Sequence, residues 1–286
     1  MDKFVLSTDT CCDELKSTLK RDRIEYIPMC YISDGEIYED NFNSAEEYKY
    51  FYDEMKKGKI FSTTGLNPFQ LKEYFQEIIS RTNLDVVHIS LSSGLSGTCS
   101  LAIQVANEIN ETSDKKVYVV DSLSATQGQN AILCHATLLR NEGKTAEEAI
   151  EALQNTIKNL DVSFFLGDLE ALKRGGRIGG AQAMIAKVMQ LRPVLKFDEE
   201  GKLQVIEKAI GSKRAIRSLL DRLKNYNPSS PIPIYLAYSG DVENALELRK
   251  LIETKYGIMN TILGPVGPVI CSHTGPSLTG LIFVKK

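Results

Sequence analysis

The side chains best suited to chemistry in this sequence are alcohols, and they come in clusters. Ser62-Thr63-Thr64-Gly65 and Ser92-Ser93-Gly94-Leu95-Ser96-Gly97-Thr98 each precede a predicted helix, while Asp9-Thr10 and Asp121-Ser122 each follow a predicted strand. Unpaired N–H groups and the dipole at a helix start favour negative charge, and hydroxyl donors reinforce them. Such a set suits a carboxylate or a phosphate without an array of fixed cations. The same residue types also cap helices, although the 92–98 stretch holds more hydroxyls and glycines than a cap requires.

The sequence has three histidines. His88 falls in a predicted buried strand and His135 in a helix. His273 lies in the Gly/Pro-rich run from Gly264 to Ser277, a predicted turn from which it can project into a cleft. Ser92 or Ser93 paired with His273, oriented by Asp9 or Asp121, would make a nucleophile and base for a serine esterase or thioesterase. The G-x-S-x-G elbow is missing, because Ser96 is followed directly by Gly97.

A third cluster, Lys173-Arg174-Gly175-Gly176-Arg177-Ile178-Gly179-Gly180, places two arginines in a glycine loop before a helix expected over 181–190. It can touch an anion or a partner protein. Its spacing is neither G-x-G-x-x-G nor a Walker loop, which weakens a nucleotide- or phosphate-binding reading.

The elements that must position these residues follow from apolar periodicity. Strands are predicted at 4–6, 24–32, 85–91 and 117–120, with a turn at Asp34-Gly35. Helices are predicted from the Asn67-Pro68 cap to about Arg81, from Ser96 to Glu111, and through Leu139. A further helix starts at the Thr145-x-x-Glu148 capping box. Beyond it come a strand at 162–166, a hairpin of 193–197 with 203–210, and a helix at 212–224. A strand at 232–238, a helix at 242–256 and short strands complete the chain.

Short links between alternating strands and helices predict a mainly parallel N-terminal sheet with helices on both faces. The later hairpin predicts a C-terminal α+β domain with a mixed sheet. The expected domains are 1–162 and 163–286. Ligands of open α/β sheets sit beyond the carboxyl ends of the strands, where the hydroxyl clusters fall.

Composition narrows the function classes. With 286 residues, 43% apolar and 25% charged, and 20 Gly and 9 Pro spread throughout, neither disorder nor a coiled coil fits. The net charge of −3 and the pI near 5.8 lack the basic footprint of nucleic-acid binding. Six cysteines without a C-x-x-C pair, and no paired-histidine spacing, argue against a metal site and for reduced thiols. No apolar run approaches the ~18 residues of a membrane span. Met1-Asp2-Lys3-Phe4 opens no secretory signal, so the cytoplasm is the expected location.

Read in order, Asp9-Thr10, Thr63-Thr64, Ser92-Ser93-Gly94-Leu95-Ser96-Gly97-Thr98, Asp121-Ser122, Arg174-Gly175-Gly176-Arg177-Ile178 and His273-Thr274-Gly275-Pro276 form a distinctive series. On these motifs the sequence resembles the DegV family over essentially its whole length. It departs at Thr10, at Gly65-Leu66 and at Ser277, while keeping the hydroxyls of Thr63 and Thr64.

The resemblance implies a two-domain protein that holds a long-chain fatty acid, such as palmitate or oleate, between its domains. The carboxylate would be hydrogen-bonded by hydroxyls among Ser62, Thr63, Thr64, Ser92 and Ser93, and by His273. The resemblance also implies a carrier without a cofactor, which presents the acid to a separate fatty-acid kinase for conversion to acyl phosphate. Arg174 and Arg177 would be contacts for that kinase, and transient membrane contact is consistent with the cargo.

The energetics are reasonable. Burying a sixteen-carbon tail gains roughly 0.8 kcal/mol per methylene, or about 10 kcal/mol. The headgroup then needs only to avoid an unpaired buried charge, and a few neutral donors to an ionised acceptor suffice for that.

Overall fold

A computed structural model of the chain describes residues 2–41, 43–167, 169–178 and 190–286. The N-terminal half runs β1 (Phe4–Asp9), α1 (Lys16–Arg21), β2 (Ile24–Ile27), β3 (Cys30–Ser33), β4 (Glu36–Glu39) and α2 (Ala45–Lys56). It continues with β5 (Ser62–Thr64), α3 (Pro68–Thr82), β6 (Asp85–Ser90), α4 (Thr98–Thr112), β7 (Val117–Asp121), α5 (Gln127–Asn141) and α6 (Ala146–Asn159). The second half runs β8 (Leu160–Leu166), α7 (Glu170–Arg174), β9 (Leu191–Phe197), β10 (Leu203–Ile210) and α8 (Ser212–Arg222). It ends with β11 (Ile234–Ser239), α9 (Val242–Tyr256), β12 (Thr261–Pro265), α10 (Pro268–Thr274) and β13 (Leu278–Val284).

Strands β2-β1-β6-β7 form a parallel sheet. Successive strand residues point to opposite faces, so each apolar strand feeds two cores. Val86 joins Leu71, Phe75, Val105 and Ile109 of α3 and α4. Val87 and Ile89 join Ile132, Leu133 and Leu153 of α5 and α6. The expectation of a parallel sheet covered on both faces therefore holds. Asn67 and Thr145 both complete capping boxes as their sequences require.

The second sheet, ordered β10-β9-β8-β13-β11-β12, is mixed, with the predicted β9–β10 hairpin at one edge. One face packs Phe165, Leu236 and Leu281 against α8 and α9. The other turns Phe164, Ala237 and Ile282 toward Phe51 and Tyr52 of α2 and Met29 of the N-terminal half. That central layer holds the cavity described below.

Four local expectations need correcting or completing. Residues 24–32 are two strands in different sheets, divided at Pro28, which has no N–H for a ladder. Helix α2 adds an element to the predicted set: Ser44 and Glu47 form its capping box, and Tyr48, Phe51, Tyr52 and Met55 recur at helical spacing. His273 sits in the last turn of helix α10, which starts with Pro268 at its first position, instead of in an irregular turn. The helix expected over 181–190 lies, apart from Gln190, outside the described residues.

Candidate functional site

Between the two large sheets lies a cavity of about 510 Å³. Leu66, Leu91, Leu95 and Leu101 from the N-terminal half and Val162, Phe164, Phe197, Leu203, Leu278 and Ile282 from the C-terminal half make its walls largely apolar. Thr63, Thr64, Ser96, Thr98, Arg177 and His273 are among its polar lining, with Thr126, Ser163 and Thr274.

The polar groups are brought there by strand ends and helix starts. Asp9, buried at the end of β1, accepts hydrogen bonds from the N–H of Leu91 at 2.7 Å and of Cys11 at 3.0 Å. Nε2 of Gln129 donates to the same carboxylate at 3.2 Å. Burial raises the Asp9 pKa above its ordinary value, and these donors offset only part of that rise. Asp9 is thus a staple that fixes where the 92–98 loop departs, and it does not line the cavity. Asp121 does comparable work, accepting from the N–H of Ser93 at 3.2 Å and of Leu123 at 3.0 Å. At the start of α4, Ser96 Oγ and Thr98 Oγ1 lie 3.0 Å apart.

His273 is the centre of the polar corner. Its Nε2 lies 2.9 Å from Thr63 Oγ1, which joins β5 to α10 across more than two hundred residues of sequence. Its Nδ1 is buried and has no hydrogen-bond partner. Burial, followed by the positive charges of Arg177 and Arg174, pushes the imidazole pKa down to about 4. The ring is therefore neutral at physiological pH. With its proton on Nε2, it donates to Thr63, whose hydroxyl proton is then free to point at an anion. Arg177 is anchored nearby, its Nε donating to the Leu95 carbonyl at 3.1 Å and a terminal nitrogen to the Gly175 carbonyl at 2.6 Å.

Of the residues singled out from sequence, Thr63, Thr64, His273 and Arg177 line this cavity. Ser62, Ser92 and Ser93 are not among the lining residues. Ser62 and Ser93 are exposed. Ser92 is buried and committed elsewhere: its Oγ donates to the Gly201 carbonyl at 2.8 Å and accepts from the N–H of Gly94 at 3.1 Å. Arg174 is exposed, beside a smaller hollow shared with Thr274 and Gly275. The Ser93–His273 pair that hydrolysis would use is not assembled, since the imidazole is bonded to Thr63 and Ser93 lies outside the cavity lining.

Other contributors were not singled out as site residues. Ser96 and Thr98 stood within the hydroxyl-rich run, yet nothing in their spacing ranked them above Ser92 or Ser93. Thr126 also lines the cavity, in the left-handed region at φ 54, with its N–H donating to the Cys11 carbonyl at 2.7 Å. A β-branched residue seldom adopts that conformation, and no sequence motif signals it. Among the described residues there is no group of three or more His, Cys, Asp or Glu able to hold a metal, and no helix long and apolar enough to cross a membrane.

Fold and cavity together describe an α/β protein with a largely apolar chamber between two sheets, lined in part by alcohols, an imidazole and an arginine. The chain belongs to the DegV family: a family model described as "Uncharacterised protein, DegV family COG1307" matches residues 3–286. It is 31% identical over 287 aligned residues to the DegV domain-containing protein CPE0026 of Clostridium perfringens, covering 99% of this chain and 98% of that one. Its fold is similar to that of a DegV family protein from Thermus thermophilus, described by its fatty-acid binding. The TM-score is 0.86 at 27% identity, with both chains covered in full. It is also similar to DegV of Bacillus subtilis, described as a fatty acid binding protein, with a TM-score of 0.83 at 26% identity and full coverage of both chains.

Proposed function

We propose that this protein binds a long-chain fatty acid, with the alkyl tail in the central cavity and the carboxylate at the Thr63–His273 corner. One observation carries the reading: a hydroxyl and a neutral imidazole, 2.9 Å apart, line an otherwise mainly apolar cavity flanked by Arg177. Thr63, Thr64 and His273 are the assigned headgroup residues, with Ser96 and Thr98 as neighbouring donors. Ser62, Ser92 and Ser93, which do not line the cavity, are left out of that headgroup set. The arrangement meets the demand that a buried carboxylate be hydrogen-bonded, while Arg177 adds long-range attraction.

The division into domains 1–162 and 163–286, with the acid between them, forms part of this proposal. It is supported by the cavity walls coming from both halves; in chain order the six-stranded sheet opens with β8, Leu160–Leu166, which straddles the 162/163 boundary.

The carrier is further proposed to act in the cytoplasm and to present the acid to a fatty-acid kinase, the carboxylate being phosphorylated by that partner. Arg174 and Arg177, exposed beside His273, are the proposed contacts, and brief membrane contact would load the acid. Fatty-acid binding in the two solved relatives supports the cargo.

The test is mass spectrometry of lipid released from purified protein, followed by calorimetry with palmitate and oleate. Binding should weaken at least about tenfold in Thr63→Val and His273→Ala, with unchanged circular dichroism. Protein that is consistently empty and refuses both acids would overturn the reading. Hydroxylamine trapping of acyl phosphate, formed only with kinase, ATP and carrier together, tests the partnership.

A further inference from the structure

The proposed cargo leaves open what measures its tail. The cavity floor is strand β13, whose alternate residues Leu278, Gly280 and Ile282 all line the chamber. Alternate residues share a face and are spaced by about 7 Å, so the floor reads bulky, empty, bulky along the strand. Gly280 pairs with Phe164 of β8 on one side and Ala237 of β11 on the other, and both of these also line the cavity.

The backbone does not require glycine here, because Gly280 lies outside the left-handed region. Glycine in the middle of a buried strand costs stability and often marks the close approach of another molecule. A Cβ at 280 would stand 3.2 Å from Cβ of Ala237 and 3.5 Å from Cβ of Phe164, filling the dip between them.

We infer that Gly280 is a specificity-determining position, where the dip between Phe164 and Ala237 lets the alkyl tail pass from Leu278 toward Ile282 and so sets the longest chain admitted. The inference rests on the fatty-acid reading above. A tail that ends before this row does not meet residue 280. A longer one must cross it, and an added methyl group lifts its path into the opposite wall.

The experiment measures binding of octanoate, dodecanoate, palmitate and stearate by calorimetry to delipidated wild type, Gly280→Ala and Ile282→Val. In Gly280→Ala the longest acids should lose about tenfold or more while the shortest that binds the wild type is unchanged. In Ile282→Val, which opens the next row, the longest acids should gain relative to the shortest. This second variant decides the matter if Gly280→Ala fails to fold. Equal loss at every length, or an unchanged length profile in the folded variants, overturns the inference. Wild type that binds none of the acids overturns instead the fatty-acid reading on which it rests.

Discussion

Gly175 is the seat of the His273 imidazole: a Cβ built on the glycine would stand 2.2 Å from Nδ1 and 3.0 Å from Cε1. The turn that carries Arg174 and Arg177 therefore also fixes the ring that burial, and then those arginines, hold neutral. Gly175→Ala should displace His273 from Thr63 while leaving the sheets intact. Palmitate binding should fall about tenfold, equivalent to about 1.4 kcal/mol, with little change in the urea midpoint. Unaltered affinity in a folded variant would mean that the ring's position does not matter.

His273 should not titrate across the physiological range. With burial and two arginines pushing its pKa down to about 4, the imidazole stays neutral above about pH 5. Its carbon-bound proton signals in NMR of the lipid-free protein should be flat between about pH 5 and pH 8. A midpoint near 6.5, the ordinary value, would refute the electrostatic account of the corner.

Ser92 latches the β9–β10 hairpin tip onto the N-terminal half through its bond to the Gly201 carbonyl. The fit is close, since a Cβ on Gly94 would lie 2.5 Å from the Gly201 carbonyl carbon. Phe197 and Leu203, which flank that tip, line the cavity. Ser92→Ala strands the buried carbonyl and should cost about 1–3 kcal/mol. Amide exchange at 198–203 should accelerate more than elsewhere, and release of bound acid should quicken. Exchange unchanged in this segment would show that the hairpin is held by other contacts.

His88 predicts a pH dependence of stability. Its Nδ1 lies 2.8 Å from Ser7 Oγ, which in turn lies 2.7 Å from the Tyr74 hydroxyl, and burial pushes the imidazole down to about 3. The unfolded chain takes up a proton near pH 6.5, whereas the native state does not until about pH 3. The contribution of neutral His88 is therefore complete above pH 6.5 and is lost as the pH falls through that window, at up to about 1.4 kcal/mol per unit. The stability difference between wild type and His88→Gln, from urea melts, should shrink by that slope between about pH 6.5 and pH 4. A difference constant with pH would exclude the linkage.

How much was legible in the sequence varied with the range of the interactions involved. The Asn67-Pro68 cap of α3, the Thr145–Glu148 capping box of α6, the apolar strands β1 and β6 and the β9–β10 hairpin are local signals, and they read correctly. The short strands around Pro28 and helix α10 read poorly. Their own periodicity is brief, and what stabilises α10 is burial against distant parts of the chain, with Pro268 to Ser272 all buried.

Residue type together with the family resemblance sufficed to nominate Thr63, Thr64 and His273, because hydroxyls before a helix and an imidazole in a Gly/Pro-rich stretch are groups that can meet a carboxylate. They could not distinguish Ser92, turned onto a carbonyl of the opposite hairpin, from Thr63, turned onto His273. Nor could they reveal that Gly175 and Gly280 leave space for a ring and for a cavity floor. Those choices depend on which side chains distant segments bring within hydrogen-bond reach or van der Waals contact. Local preference, acting over a few residues, specifies the strands and helices; only their packing decides which alcohol faces the cavity and which glycine leaves room beside it.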